Sequence, residues 1–310
     1  MSTNFAPLFA KGITKHYLEE LKAVEPVADR IFHVTKMTDP YSDDQLWELY
    51  GGPSMRLPLT PIPQGSFAPS FSKRYIPVMY ALGDVIAKEH WDDDPTGVLH
   101  RLIPAKGGAL ARSFATARER IAAEMLMYAG FGGGSVFGSP DGVALFSTAH
   151  PMSASNPSTT WSNRPSTDVD LSHTAWNAMR ANIVQQMAPN NYTIVENAPA
   201  LLVVNPSQHA IAVRLTQQEW EPGTQNRDIN VARLDRVQVI EWPYFRYPAN
   251  TWKAWFVVGK THFLKWFDRT EFALESSYDI DILAYKFVAY MRVVCGWTDA
   301  RGTYGSLGGA

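Results

Sequence analysis

Residues 110–130, LARSFATARERIAAEMLMYAG, carry the strongest helical pattern in the chain. Apolar side chains recur there at three- and four-residue steps, which places them on one face of a helix: Leu110, Phe114, Ala117, Ile121, Met125 and Tyr128. Charged side chains lie off that stripe: Arg112, Arg118, Glu119 and Arg120. With Gly130 as a C-terminal cap, the pattern predicts a helix over residues 108–129, about 30 Å long at 1.5 Å per residue.

The glycine-rich stretch that follows, residues 130–151, reads GFGGGSVFGSPDGVALFSTAHP. A phosphate-binding P-loop would need a lysine after the glycines, and a dinucleotide fingerprint would need a strand before them, where a helix is predicted here. Ser147 and His150 stand close in sequence but lack the Gly-x-Ser-x-Gly turn, so a serine hydrolase is only a minor alternative. We interpret the stretch as an exit from the helix into a strand.

The segment before the helix, KEHWDDD (88–94), brings acids and a histidine together without the ligand spacing of a calcium loop. Consecutive aspartates point in different directions, and acids near a helix start suit the helix dipole. The 8 histidines are scattered, with no pair four residues apart on one helix, and Cys295 is the one cysteine. We therefore expect no metal, no cofactor, no internal disulfide and no catalytic residue.

Residues 50–77 read YGGPSMRLPLTPIPQGSFAPSFSKRYIP, and their prolines exclude a regular helix and a central strand. Apolar residues stand among the prolines, so we predict an extended two-armed loop, with a turn near residues 64–66, that lies on another surface. A neighbouring subunit is a candidate for that surface, and the candidate contact residues are Leu57, Leu59, Ile62, Phe67, Phe71, Lys73, Arg74 and Tyr75. For Lys73 and Arg74, plain solvation at the surface is the simpler alternative.

The remainder of the chain mixes helices and strands without regular alternation, which favours an α+β fold over a doubly wound sheet. Strands are predicted within residues 31–37, 75–87, 198–204, 237–245, 252–259, 261–269 and 286–297. One helix is predicted from about Leu171 with Asp170 or Ser172 as its cap, and another after Asn205 and Pro206.

The composition describes an ordinary globular chain of 310 residues with a formal net charge of -2. This charge argues against binding nucleic acid by general electrostatics, which needs a basic excess. No stretch predicts a signal peptide or a membrane-spanning helix, and the single cysteine suits a reducing compartment.

Several stretches taken together resemble the major capsid proteins of tailed bacteriophages, and most nearly the Mu-like major head subunit group with the Hong Kong 97 capsid fold. They are KRYIPVMYALGDVIAKEHWDDD (73–94), LARSFATARERIAAEML (110–126), DGVALFSTAHP (141–151), SNRPSTDVDLSHTAW (162–176), LLVVNPSQHAIAVRL (201–215), WFVV (255–258) and RVVCGWTDARGTYGSLG (292–308). These stretches follow the family's order, whereas the first 50 residues match it only in character.

The resemblance implies an N-terminal arm (1–48) and an extended loop (49–80) that lies across a neighbour. It further implies a peripheral domain (81–135 and 261–295) with a spine helix at 108–129, and an axial domain (136–260 and 296–310). Residues 130–151 would be the exit from the spine helix, and Ser147 and His150 would be structural. Lys73 lies on the return arm of the loop, so covalent crosslinking through it is not expected.

The implied function is structural rather than enzymatic. Copies of the chain would assemble as hexamers and pentamers into the icosahedral head that encloses a double-stranded DNA genome. Scaffolding, portal and decoration proteins are possible further partners, with packaged DNA held without sequence-specific binding and no membrane involved. The expected location is the virion, after assembly in the host cytoplasm. An encapsulin-like compartment that holds protein cargo is the alternative, ahead of the serine hydrolase.

Overall fold

The computed structural model describes residues 14, 15, 17, 19, 20, 26–65, 67–93, 97–132, 137–221, 228–245 and 253–309. Its strands are β1 (His33–Lys36), β2 (Ser42–Glu48), β3 (Ala68–Tyr75), β4 (Val78–Ala87), β5 (His150–Pro151), β6 (Thr160–Trp161), β7 (Pro199–Val204), β8 (Gln238–Glu241), β9 (Trp255–Gly259), β10 (Leu264–Asp279), β11 (Ala284–Trp297) and β12 (Thr303–Ser306). Its helices are α1 (Ala28–Ile31), α2 (Lys88–Asp92), α3 (Val98–Glu124), α4 (Gly130–Gly132), α5 (His173–Gln185) and α6 (His209–Gln217). A π-helical turn covers Met125–Ala129, and short 3₁₀ helices cover Pro206–Gln208 and Val231–Asp235. The predicted α+β class is confirmed.

The first sheet has the strand order β1–β10–β11–β4. β11 runs antiparallel to both of its neighbours, β10 and β4, whereas β1 pairs in parallel with the start of β10. Two strands come from the first third of the chain and two from its last fifth, so the sheet forms only when the distant segments meet. β10 and β11 make one long hairpin, which is buried near Leu264 and Trp297. Toward the tip β10 becomes exposed, whereas β11 keeps Ala284 and Phe287 buried.

The helix α3 begins at Val98, ten residues before the predicted start, even though Pro104 is a poor helix former. At its other end the helical backbone continues through the π-turn to Gly132. Gly130 itself is helical, with φ -64° and ψ -42°, so the prediction that it caps the helix is wrong. Tertiary packing, rather than local propensity, sets both ends of this element.

The π-turn changes which side chains face the core. One extra residue in the turn rotates the positions that follow it relative to an ideal α-helix. Met127 and Ala129 are therefore buried, whereas Tyr128, which the 3.6-residue periodicity placed on the buried stripe, is 45% exposed.

Arg118 lies off the apolar stripe of α3 but is buried in a polar cluster. Its guanidinium donates to both oxygens of Asp268, over 2.7 and 3.2 Å, and to Asp29 Oδ1. The indole of Trp266 also donates to Asp268, over 2.7 Å, and the guanidinium packs on its ring. Asp268 lies beside an irregularity in the β10–β11 pairing, the kind of feature that re-aims a side chain.

The neighbouring residue, Glu119, is buried as well and connects α3 to two other segments. It accepts a hydrogen bond from the backbone N–H of Ala28 and one of 2.6 Å from the indole of Trp242. Burial raises the pKa of Glu119 despite these donors. Together with Arg118 it ties the helix to α1, to β10 and to the segment after β8.

The second sheet has the order β12–β9–β7–β8. Both faces of its central strands are buried, which explains their uninterrupted apolar sequence. Leu202 and Val257 face the core shared with α5 and α6, whereas Val203 and Phe256 face the main core around the end of α3. The predicted caps are confirmed, since Ser172 accepts from the N–H of Ala175, and Asn205 from that of Ser207.

The strands β2 and β3 pair with each other in a two-stranded sheet of their own, which spans Ser42 to Tyr75. This pairing crosses the predicted arm–loop boundary at residue 48, and β4 joins the first sheet from Val78, before the predicted loop end at residue 80. None of the helices in the described ranges combines the length and apolarity needed to cross a bilayer.

Candidate inter-subunit surface

The segment between β2 and β3 exposes a group of large apolar side chains. Four predicted contact residues, Leu57, Leu59, Ile62 and Phe67, are exposed, and Met55 joins them. Phe67 lies at the root of the loop, next to β3, and we call the other four residues the loop-tip group. Soluble monomers rarely expose such clusters without a partner, so this surface is a candidate for association.

The loop tip has an ordered turn at Leu57–Thr60. The turn predicted near residues 64–66 includes Ser66, which lies outside the described residues. The hydroxyl of Thr60 donates to the carbonyl of Leu57 over 2.7 Å, and the Nε of Arg56 donates to that of Thr60 over 2.8 Å. Leu59 has a φ of 68° in this turn, a left-handed conformation that is unfavourable for leucine. The turn presents its fully exposed side chain to solvent.

Aromatic stacking and an ion pair hold the root of the loop. Trp47 stacks on Phe67 with ring centroids 5.2 Å apart. Across the β2–β3 pair, Arg74 donates twice to Asp43, each time over 2.7 Å, and packs on the ring of Tyr41. The hydrogen bond with Arg74 lowers the pKa of Asp43, so the pair stays ionised at neutral pH.

Hydrogen bonds to the rest of the chain anchor the β2–β3 hairpin. Ser155 donates to Glu48 over 2.7 Å, the backbone N–H of Ala154 donates to Ser70, and Asn190 donates to the carbonyl of Tyr50. Partial burial opposes ionisation of Glu48, but hydrogen bonds from serine side chains outweigh it and lower the pKa. These hydrogen bonds therefore hold the base of the apolar loop in place.

Three of the predicted contact residues are not exposed. Phe71 is half-buried, and Lys73 and Tyr75 are buried within the chain itself. The hydroxyl of Tyr75 hydrogen-bonds Thr298 over 2.9 Å, and burial raises its pKa above the ordinary range. Surface solvation of Lys73 is therefore a wrong expectation, and neither residue belongs to the exposed apolar surface. The alternation of β3 turns Arg74 outward and its two neighbours inward.

A second exposed apolar surface lies on β4, which forms one edge of the first sheet. Five of its side chains are exposed: Val78, Met79, Tyr80, Leu82 and Val85. Sequence reasoning identified the strand but not this surface. A possible signal was its unbroken apolar run, VMYAL, because an ordinary edge strand carries charges or prolines that discourage pairing.

Ser147 and His150 do not form a nucleophile and base. His150 is fully buried, and its Nδ1 faces Asp141 over 2.6 Å while its Nε2 faces Leu145 O and Asn163 Oδ1. The hydroxyl of Ser147 instead accepts from the backbone N–H of Ala149. The geometry favours a structural role for both residues.

The remaining candidates from the sequence are the segment KEHWDDD and the glycine run. Within the described ranges, no cluster of three or more histidine, cysteine or acidic side chains could hold a metal ion. Of KEHWDDD, Asp94 lies outside the described residues, as do Gly133 and Gly134 of the glycine run. Gly138, which is described, has a φ of 57° in the turn that leaves the helix.

Comparison with known proteins places these features in a family. The family model described as "Phage capsid protein" matches residues 76–306, well over half of the chain. No curated protein matches the sequence. The family match favours a phage capsid over an encapsulin-like compartment, and it does not confirm the Mu-like subgroup.

Solved structures share the fold at low sequence identity. A chain described as Microbacterium phage Oxtober96 has a TM-score of 0.55 at 8% identity, with 91% of each chain covered. The capsid of the native GTA particle has a TM-score of 0.55 at 14% identity, covering 93% of this chain and 92% of the other. A virus-like particle from Pyrococcus furiosus has a TM-score of 0.52 at 10% identity, covering 94% and 96%. At these identities the likeness shows a common fold.

Proposed function

The chain belongs to the family of phage capsid proteins, and from that premise we propose that its copies assemble as hexamers and pentamers into an icosahedral head around double-stranded DNA. The structural role follows from the family, whereas the capsomer types and the DNA content are the proposal. The observation that carries it is the loop-tip group, whose large apolar side chains are exposed to solvent.

Burying the loop-tip group against a neighbour would supply the association energy. Each buried Å² of apolar surface contributes about 25 cal/mol, and many modest contacts per subunit add up in a closed shell. The braced root lowers the entropy lost when the loop docks, because the hairpin already holds its extended shape. A near-neutral net charge is compatible with a wall that does not bind packaged DNA tightly.

We assign the parts of the fold accordingly. Ser42–Tyr75 would be the extended loop, and the residues before it, apart from β1, the N-terminal arm. The first sheet with α3 would be the peripheral domain, and the second sheet with α5 and α6 the axial domain. Scaffolding, portal and decoration proteins would be additional partners, and assembly would take place in the host cytoplasm. We assign no catalytic role to Ser147.

The test is negative-stain electron microscopy and size-exclusion chromatography of the full chain and of a loop variant. Replacing residues 53–65 with a short Gly-Ser linker removes the tip but keeps β2 and β3 intact. We expect the wild-type chain to form closed shells or capsomers, and the variant to stay folded and soluble without closing shells. Normal particles from the variant would refute the role of the loop.

A milder variant controls for the change in chain length. The triple substitution Leu57→Ser, Leu59→Ser and Ile62→Ser should weaken assembly at unchanged thermal stability. Leu234→Ser is its matched control, because Leu234 is 69% exposed, close to the 67% of Ile62, but lies outside the loop. Nuclease-resistant DNA in native particles would support a phage head, whereas protein cargo in place of DNA would support the compartment.

A further inference from the structure

A cavity of about 370 Å³ lies among β3, β4, β11 and the turn after α4. Its volume falls at the lower end of small-molecule sites. The lining is largely apolar and includes Ile76, Val78, Ile121, Phe137 and Val293. We call it the Lys73 cavity, since that side chain supplies its buried positive charge.

Lys73 is 8% exposed and has few partners. Its ammonium donates to the carbonyl of Gly138 over 2.7 Å and lies over the rings of Tyr75 and Trp297, 5.1 and 4.7 Å from their centroids. It forms no ion pair with any carboxylate in the described part of the chain. A carbonyl and two ring faces compensate the removal of an ammonium from water only in part.

The nearest acid is already engaged elsewhere. Asp141 accepts from Ser139 and from the N–H of Val143 on one oxygen, and it pairs with His150 on the other. Its charge acts on Lys73 through space but does not neutralise it by contact. The cavity therefore holds a buried cation without a contacting anion.

The fold also keeps open the space that the ammonium occupies. A Cβ added at Gly296 would lie 2.5 Å from Lys73 Nζ and 3.2 Å from the ring of Tyr75. Any side chain at position 296 would thus displace the ammonium.

We propose that the Lys73 cavity binds a carboxylate with an apolar body, with the carboxylate on the ammonium and the body against the apolar wall. A single buried cation selects a monoanion, and the volume suits a ring or a short chain. The carboxylate could belong to a free organic acid or to an acidic side chain of a second copy of this chain. The site is independent of whether the chain closes shells.

The pH dependence of binding identifies Lys73 as the receiving group. Burial lowers the pKa of Lys73 to about 8, so the cavity loses its positive charge in mildly alkaline solution. Burial raises the pKa of Cys295 to about 12 and raises those of Tyr75 and Tyr80, so these groups stay neutral there. Two further charged groups act near Lys73 and keep their charge: Arg74, which lines the cavity, and Asp141, which acts on the ammonium through space. Hydrogen bonding to Asp43 raises the pKa of Arg74, and although burial opposes it, hydrogen bonding lowers the pKa of Asp141.

The experiment compares benzoate with benzyl alcohol, its neutral counterpart, by calorimetric titration of the full-length chain in unassembled form. At pH 7 we expect benzoate to bind at least about tenfold more tightly than the alcohol, which is the contribution of one modest charge contact. The preference should shrink at pH 9.5 and disappear in Lys73→Met. Lys260→Met, at an exposed lysine outside the cavity, should keep it.

The comparison of the two ligands on the wild-type chain needs no variant, so it stands even if Lys73→Met fails to fold. Val78→Phe narrows the cavity at its exposed rim without changing charge and should weaken both ligands. Equal affinity for the two ligands, or benzoate binding that survives Lys73→Met, would overturn the proposal.

Repeating the titration on assembled particles separates the two sources of the carboxylate, a free acid and a neighbouring copy. Binding retained there indicates a free acid, and binding lost only on assembly indicates a carboxylate from a neighbouring copy.

Discussion

Removing the guanidinium of Arg118 is expected to destabilise the subunit strongly, because the change leaves Asp268 buried without its counter-ion. The two side chains are 4% and 5% exposed, so water cannot replace the lost partner. In Arg118→Met, the 2.7 Å hydrogen bond from Trp266 is the one that the described residues still give the Asp268 carboxylate. Breaking a buried ion pair in this way costs about 3–5 kcal/mol. Asp29, the other partner, is 38% exposed and can be hydrated.

The assay is equilibrium unfolding of unassembled subunits in denaturant, followed by tryptophan fluorescence. Arg118→Met should lower the free energy of unfolding by that amount. Adding Asp268→Asn should recover most of the loss, since the amide carries no charge and still accepts from Trp266. The matched control is Arg112→Met on the same helix, where the Arg112–Glu20 pair is solvated and its removal should have little effect.

Two results of these unfolding measurements would contradict the prediction. If Arg118→Met is no more destabilising than Arg112→Met, burial of the pair does not govern its energetics. If Asp268→Asn adds to the loss instead of reversing it, the penalty does not come from an uncompensated carboxylate. Either result would refute the reasoning.

Three further predictions concern burial and pH. Ile121→Asp should destabilise the subunit by more than about 4 kcal/mol, because it places a charge on the buried face of α3, whereas Arg120→Ser on the exposed face should melt near the wild-type temperature. Burial lowers the pKa of His262 from 6.5 to about 4, so the folded subunit should lose up to about 3 kcal/mol of stability as the pH falls from 6.5 toward 4. His262→Phe should lack that loss in acid denaturation, and an acid profile like that of the wild type would contradict the assignment. Lys73 has a pKa of about 8 in the folded chain against 10.5 when unfolded, so the folded state gives up its proton first and the subunit should become more stable as the pH rises from about 8 to 10. The melting temperature measures this change, and an equal rise in Lys73→Met would assign the effect to another group.

Local sequence patterns predicted most of the individual elements. The apolar periodicity after Leu110 identified the long helix, and apolar runs identified β7, β8 and β9 of the second sheet but not β12. Caps at Ser172 and Asn205 followed from side chains that bond their own neighbouring backbone. These features depend on residues a few positions apart, so a single sequence suffices to find them. The ordered stretches also pointed to the capsid family that the family match then showed.

The candidate surface was predicted only in part. Proline spacing indicated an extended loop with exposed apolar residues, because proline excludes the alternatives locally. The side of β3 that faces the body depends on its register with β2 and on the first sheet behind it. Lys73 was therefore placed among surface residues, although the strand turns it into a cavity. The exposure of β4 was missed for the same reason, since it follows from the position of β4 at the edge of the sheet.

Tertiary structure alone decided the polar interior and the ends of the long helix. Arg118 and Asp268 are 150 residues apart in sequence, and only the packing of α3 on β10 brings them together. The π-turn that exposes Tyr128 reflects packing at the end of the helix and has no signature in the 3.6-residue pattern. Short-range propensity and periodicity thus determine which elements form, whereas contacts between distant segments determine which side chains they bury.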